Sequence, residues 1–502
     1  MDVHTEQTYQ KRIEELEAFV VSLKAQLTQR DQTTIELRVQ LAQRDATIAA
    51  LQQQVAELSK QVADLLAQVA RLSKNSSNSS KPPSSDIVKP PLPPVPPGEK
   101  RSVGGQKGHP RHEREPFTPD QINRVVDYRL NRCPNCGGRV RPLNSPPRKV
   151  QQVEIPELPV QVVEHRRHGY FCPHCQKVHY APLPPEIQAG GLVGERLTAW
   201  IAYLKGACHC SFSTIRKFCR DVLHLALSRG QLAKVLQKAS AALAQSHRAL
   251  QDLLPKQDIL NVDETGHKEK GLRLWTWCFR ATGFTCFKIE SSRGSKVLVA
   301  ILGEAFEGIL GCDYFSAYRK YRGDFNTSLQ FCLAHLIRDV KFLITLPEAS
   351  VVAYGQRLLE GLRNLFHTYH QREFMELPVF QQALEKSRDD LVATGLEAPE
   401  HKPAQNMAER FRQNTDSYFR FINTPGLEPT NNLAEQAIRF VVLDRHVTQG
   451  TRSLRGQQWC ERIWSTIATC SQQQRSVFEF LHQTVSNHFS GRPTPSLLPS
   501  GP

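Results

Sequence analysis

Three observations predict a multidomain α+β chain. The N-terminal run carries a seven-residue apolar repeat; two Cys-x-x-Cys pairs bracket about 35 residues; and from residue 255 short apolar strands alternate with helical segments. They divide the chain into an N-terminal coiled coil, a four-cysteine zinc ribbon, a helix-turn-helix-like helical region and a sheet-containing core with a helical insertion. A length of 502 residues suits two to four domains. The net charge of +15, from 64 Lys+Arg against 49 Asp+Glu, favours a polyanionic partner, because each neutralised phosphate releases condensed counterions. No stretch of eighteen or more apolar residues occurs and the N-terminus is polar, so neither a membrane span nor a signal peptide is expected. The 13 cysteines, four of them in spaced pairs, favour zinc over disulfides and a reducing cytosol.

The coiled coil is expected over residues 8–73. With a and d set at Ile13 and Leu16, the seam runs through Val20, Leu23, Leu27, Leu37, Leu41, Ile48, Leu51, Val55, Leu58, Val62, Leu65, Val69 and Leu72. Only Arg30, Thr34 and Arg44 interrupt it, and the run has no Pro or Gly. Val or Ile at a with Leu at d in its later heptads favours a parallel homodimer, with larger assemblies left open. A long helix folded back on its own globular domain is the competing reading.

Residues 74–120 lose all periodicity. Ser-rich and Pro-rich runs (Asn75–Ser80 and Lys89–Pro97) predict an extended linker, followed by Lys100, Arg101, Lys107, Arg111 and Arg114 among glycines. Such a segment suits phosphate tracking along DNA, and a merely solvated linker fits equally. In residues 121–190, Cys133, Cys136, Cys172 and Cys175 are predicted to hold one structural Zn²⁺ tetrahedrally, the alternative being a redox dithiol. Residues 191–254 read as helices. Ser-capped segments at Ser211 and Ser228 fit a helix-turn-helix with Arg229, Gln231 and Lys234 near the start of its second helix, or an ordinary helical hairpin.

The core is assigned to residues 255–346 and 424–456. Strands are expected at Ile259–Asp263, Leu272–Arg280 and Phe284–Glu290, a helix at Ser295–Phe306, a strand ending at Asp313, another at Phe325–Cys332, and a helix at His335–Leu343. The insertion, 347–423, reads as three helices: Tyr354–Tyr369, Glu373–Leu391 and Ala404–Asn423. Helices over 457–489 close the chain, and the Pro- and Ser-rich residues 490–502 are expected to be disordered.

Candidate chemistry gathers on carboxylates. Ile259-Leu260-Asn261-Val262-Asp263 and Ile309-Leu310-Gly311-Cys312-Asp313 each end an apolar run in an aspartate. Glu435 lies in the first turn of a helix begun at Pro429-Thr430-Asn431-Asn432, with Thr430 or Asn431 as its cap. Two strand-end carboxylates and one on a late helix suit divalent metal and phosphoryl transfer.

The chain resembles the IS66 family of bacterial insertion-sequence transposases. The resemblance rests on six motifs in order: Asn78-Ser79-Ser80-Lys81-Pro82-Pro83-Ser84-Ser85-Asp86, Gly104-Gly105-Gln106-Lys107-Gly108-His109, Val262-Asp263-Glu264-Thr265, Asp313-Tyr314-Phe315-Ser316-Ala317-Tyr318, Cys332-Leu333-Ala334-His335 and Asn431-Asn432-Leu433-Ala434-Glu435. It implies an RNase H-like (DDE) core and DNA-binding elements ahead of it. It also implies a Cys-x-x-His that helps shape the core, smaller accessory proteins of the same element, and a location in the bacterial cytosol associated with the nucleoid. Departures from the family pattern are Thr430, where an Asp is usual, Gln436, where an Arg is common, and the loop Arg445–Ser453.

On this reading Asp263, Asp313 and Glu435 hold two Mg²⁺ (or Mn²⁺) ions roughly 3.5–4 Å apart, Asp263 bridging both, while Glu264, Glu428 and Asp444 have supporting roles. Arg439, Arg445 and Arg452 are further phosphate-contact candidates, with a solvated face as the alternative. The expected function is metal-dependent cleavage and strand transfer of double-stranded DNA, at the element's terminal inverted repeats and at a target. The competing functions are a non-catalytic DNA-binding regulator with a derelict core, and a structure-specific nuclease that cuts without joining.

Overall fold

The N-terminal run folds as its composition dictates. With neither Pro nor Gly to interrupt it, the first helix of the computed structural model, α1 (Val3–Leu72), continues for 70 residues, about 105 Å at the α-helical rise. Its seam residues are exposed, Leu51 by 54% and Leu58 by 59%. The structure describes residues 3–72, 74, 116–132, 134–137, 139, 141, 145–147, 149–153 and 160–498. The basic Gly-rich segment 100–114 and most of the preceding linker lie outside the described residues, as does Cys133.

The chain divides into two units, one of residues 1–90 and 330–430, the other of 91–329 and 431–502. The first contains α1 and four later helices: α8 (Leu333–Leu343), α9 (Ala349–His370), α10 (Leu377–Leu396) and α11 (Lys402–Phe419). Here α10 starts at Leu377, four residues later than the expected Glu373. Pro378 has no N–H to donate and therefore belongs in a first helical turn, where none is needed. Tyr354 donates to the Gly395 carbonyl at 2.6 Å, tying α9 to α10, and Arg410 pairs with Asp339 at 2.7 Å. Buried Gln330 donates to the carbonyl of Tyr418 and accepts from the N–H of Phe421, both at 2.9 Å. Cys332 is the buried N-cap residue of α8, and His335 Nε2 lies 3.4 Å from Arg338 Nη1. Glu428 accepts from Tyr369 at 2.9 Å and faces Arg372 at 3.6 Å, a bracing role.

The second unit holds two sheets. A small exposed hairpin, β1 (Gly169–Cys172) with β2 (Lys177–Tyr180), carries the second cysteine pair. The larger sheet begins with a meander of β3 (Ile259–Glu269), β4 (Leu272–Arg280) and β5 (Thr285–Glu290). Here β3 runs six residues past the expected end at Asp263, because Lys270 and Gly271 both take positive φ (48° and 89°), the requirement of a tight two-residue hairpin turn. Next, α6 (Lys296–Leu302) leads to β6 (Ile309–Cys312), which lies parallel to β3. A helix not foreseen, α7 (Ser316–Phe325), follows, so the next strand, β7, shortens to Ser328–Phe331. The sheet order is β5-β4-β3-β6-β7, with Ser328 and Leu329 of β7 in this unit.

Helices pack around the sheet: α2 (Pro185–Gly190), α3 (Glu195–Gly206), α4 (Phe212–Asp221), α5 (Arg229–Leu253), α12 (Asn432–Thr448), α13 (Leu454–Gln472) and α14 (Val477–Phe489). One face of α13 closes the edge strand β5. Glu461, Ser465 and Thr469, one turn apart, accept from the N–H groups of Ile289, Phe287 and Thr285 at 2.8, 2.8 and 3.1 Å. Alternate donors of an edge strand are thus satisfied by side chains rather than by another strand. The C-terminal tail corrects an expectation. Up to Leu498 it is docked, with Leu497 buried, its carbonyl accepting from Gln473 at 2.9 Å, and Pro495 accepting from Ser246 at 3.0 Å; only 499–502 lie outside the described residues.

Candidate active site and metal centres

Strand register brings two of the expected carboxylates side by side. In the parallel pair β3–β6, Asn261 lies opposite Gly311. Asp263 and Asp313 each follow two positions later, Asp263 inside β3 and Asp313 just beyond the end of β6, so both fall on one face. Gly311 is required there: a Cβ would meet Asn261 Nδ2 at 2.5 Å. The spared space lets Asn261 donate to Asn431 Oδ1 at 3.0 Å, while Asn431 Nδ2 donates to the Val262 carbonyl at 2.8 Å. Asn431 is the N-cap residue of α12 but makes no side-chain cap, contrary to the capping role expected of it or Thr430. Its amide instead fastens the start of α12 to the strand immediately before Asp263, and Glu435 sits one turn further on, its N–H bonded to the Asn431 carbonyl.

The electrostatics follow from that convergence. Burial first, then the charges of Glu264, Asp313 and Glu435, push the Asp263 carboxyl well above the usual carboxylate range. Asp263 Oδ1 accepts from the Glu264 N–H, and Asp313 Oδ1 from the Phe315 N–H, each at 2.9 Å. Glu264 is spent on the scaffold. Arg293 donates to its Oε1 from Nε and Nη2, both at 2.7 Å, and Tyr318 donates to Oε2 at 2.5 Å. Burial and the Asp313 charge still raise it to about 7. Arg293 and Tyr318 were not singled out as site residues, although Tyr318 lies within the Asp313 motif. Asp263 and Asp313 offer hard oxygen donors on neighbouring strands, and Glu435 is near enough to raise Asp263 further, a donor chemistry that fits divalent metal.

The cationic candidates divide. Arg445 Nη1 donates to Thr265 Oγ1 at 3.1 Å, and Thr265 is on the same face of β3 as Asp263, two residues on. Arg439 is exposed on α12, whereas Arg452 is exposed and reaches only the Gln449 and Thr451 carbonyls at 3.4 and 3.5 Å. Arg229 donates to Ser213 at 2.9 Å; Lys234 is exposed; the Gln231 side-chain carbonyl accepts from Ser228 N in the capping box of α5. Most of the 25-residue α5 is a core helix packed on α3, α13 and α14. Asp444 is internal, bonded to Trp464 Nε1 at 3.1 Å and facing His209 at 3.4 Å.

Of the four expected zinc ligands, Cys136, Cys172 and Cys175 are described and are free thiols. The Cys172 thiol is lowered below its usual range by the backbone N–H of Cys175, then by the Cys175 thiol and the backbone N–H of His174. This is the knuckle geometry that favours a thiolate. Cys175 Sγ also lies 3.3 Å from His179 Nε2.

A family model described as transposase IS66 family matches residues 190–459, more than half of the chain. The chain belongs to the IS66 transposase family. The match spans Asp263, Asp313 and Glu435 together. The zinc-finger binding domain of transposase IS66 matches residues 131–176, which contain all four paired cysteines and support a zinc-binding element. Residues 5–115 match a family of unknown function, DUF6444. No curated protein matches the chain. Membership of the IS66 family supports a DNA-processing transposase role, and with the zinc finger it points to DNA as partner. Among the described residues no helix is long and apolar enough to cross a membrane.

Proposed function

We propose that this chain is a DDE transposase, acting on the terminal inverted repeats of its own element by metal-dependent strand cleavage and strand transfer. The reading is supported by the β3–β6 register that sets Asp263 beside Asp313, by the Asn431 tether that holds the helix of Glu435 to β3, and by the charge that both acids exert on Asp263. The sheet order, an antiparallel meander followed by a parallel strand beside β3, supports an RNase H-like core. Asp263, Asp313 and Glu435 would hold two Mg²⁺ or Mn²⁺ ions, which when bound supply charge stabilisation at the attacking and leaving oxygens of a phosphodiester.

The protein's own groups prepare the site. Arg293 and Tyr318 fix the Glu264 end of the β3 segment, and Asn431 fixes the helix bearing Glu435. Because burial and neighbouring acids raise the Asp263 carboxyl, a proton and a metal ion would compete for it, and metal affinity would rise with pH. Arg445, Arg439 and Arg452, with Arg229 and Lys234 at the start of α5, are assigned to DNA phosphates. The exposed seam of α1 is assigned to a second copy of the chain, giving the homodimer that brings two element ends together.

The deciding experiment is cleavage and joining of labelled DNA carrying the element's ends, with Mg²⁺ and the element's accessory proteins. The expected result is joined product from wild type and none from Asp263→Ala, Asp313→Ala or Glu435→Ala, with end binding retained. Binding without chemistry in wild type would favour the regulator, and cleavage without joining the nuclease.

A further inference from the structure

A second feature of the larger sheet's unit has no part in the carboxylate site. A cleft of about 680 Å³ opens between the end of α3, the start of α4, one face of α5, the end of α12 and the first turns of α13. Its lining carries Lys205, Arg452, Arg455 and Arg462, and its one carboxylate, Asp444, is already engaged by Trp464 and His209. Arg462 is held inward by the Ser240 carbonyl and hydroxyl at 2.9 and 3.1 Å. Between the cations the walls are apolar and aromatic, from Phe212, Leu236, Val447 and Trp459.

One wall is rigidly joined to the strand that carries Asp263. Gly450 takes φ 85°, and a Cβ there would meet the Lys268 carbonyl at 2.1 Å. Thr451 N donates to Lys268 O at 2.9 Å, and Lys270 N donates to Thr451 O at 3.2 Å, extending the end of β3 by a short parallel bridge. His267 Nε2, 3.1 Å from Thr451 Oγ1, adds a buried contact. Lys268 is five residues beyond Asp263, about 17 Å along a strand. That distance corresponds to about five nucleotides of one strand at duplex spacing.

We propose that this cleft receives one unpaired nucleotide of a DNA strand, its phosphate on Lys205 and Arg455 and its base against the apolar wall of Phe212, Leu236 and Trp459. The volume lies in the range of sites that enclose small ligands, roughly 300–1,000 Å³, and is far too small for a duplex. Cations interleaved with aromatic and aliphatic faces are the chemistry of single-strand recognition, in which a groove tracks phosphates and bases stack. The assignment rests on the transposase reading for the presence of DNA, and it adds an unpaired position within about five nucleotides of the reacting bond.

The test uses the full chain without divalent metal, at fixed salt, and measures anisotropy of labelled oligonucleotides. The probes are a blunt duplex and the same duplex with a three-nucleotide single-stranded end. The variants are Arg455→Ala, Lys205→Ala and Ala241→Trp, the last filling the cleft from an exposed position of α5. The expected result is a loss of roughly tenfold on the single-stranded end and under about twofold on the blunt duplex, with unchanged thermal melts. Equal losses on both probes, or none on either, would overturn the cleft assignment. Cleavage by wild type that is abolished by Asp263→Ala would leave the transposase reading standing in that case. Intact discrimination between the probes with no cleavage under any condition would instead remove that reading and keep the cleft.

Discussion

The carboxylate site and the cysteine module both place proposed metal ligands in one unit, yet the fold treats them oppositely. Around Asp263 the proposed ligands are held by the protein itself: strand register, the Gly311 gap, the Asn431 tether and the Arg293–Glu264–Tyr318 group set their positions. Around Cys172 and Cys175 almost nothing is buried; β2 is exposed throughout and β1 nearly so. On the proposed reading the protein pre-organises the first site, at the cost of crowding like charges, and zinc would organise the second, as in small zinc modules that fold only when loaded.

The largest expected effect separates the two sites by chelation. Stripping zinc removes a term on the order of 10 kcal/mol in peptides of this kind, so amide protection over residues 160–180 should collapse while β3 to β6 stay protected. Hydrogen exchange measures this, and an equal response in both regions would break the contrast. Next, Asp263→Asn should lower strand cleavage by about 10³-fold or more, yet raise the thermal midpoint of the metal-free protein by a few degrees at pH 8. A lower midpoint would show that the crowded carboxylates carry no stored repulsion. Smaller is Asn431→Ala, which leaves Asn261 and the Val262 carbonyl without this partner. A stability loss of about 1–3 kcal/mol in urea melts is expected, with a cleavage defect that extra Mg²⁺ partly restores. Full activity in that variant would mean that the tether does not position Glu435.

The smallest effect concerns pH. Burial holds the His247 and His267 imidazoles down to about 4, so each is neutral in the fold. Their folded values lie below the unfolded 6.5; the stability they represent is present above pH 6.5 and lost as pH falls towards 4. Glu264, raised to about 7, acts in the opposite sense: its contribution is present below pH 4.5 and lost as pH rises through 7. Comparing wild type with His267→Asn between pH 4 and 7 isolates the histidine part, a shallower acid-side slope in the variant. Identical slopes would place His267 outside the cooperative core.

How far the molecule could be read in advance differs element by element. The N-terminal helix was legible because a repeat of seven residues without Pro or Gly has only one compatible local structure. The two cysteine pairs and the order of Asp263, Asp313 and Glu435 were legible because ligand type and spacing are local chemistry. The overlooked α7 and the docked tail were not legible. Ser316–Phe325 is short and mostly polar, and the backbone carbonyls of Pro495 and Leu497 find partners that no composition reveals.

Sequence alone therefore marked the residues proposed to carry the chemistry and most of the helical segments, since both are properties of neighbours along the chain. Tertiary structure alone decided what those residues do for one another. Asn431, a plausible helix cap by its position, bonds instead to a strand about 170 positions earlier; Arg445 meets Thr265 across 180; and the α13 face of Glu461, Ser465 and Thr469 stands in for a missing strand. A side chain has few hydrogen-bonding atoms, and local partners compete with distant ones for them. Which partner wins depends on the burial and register that the whole fold imposes.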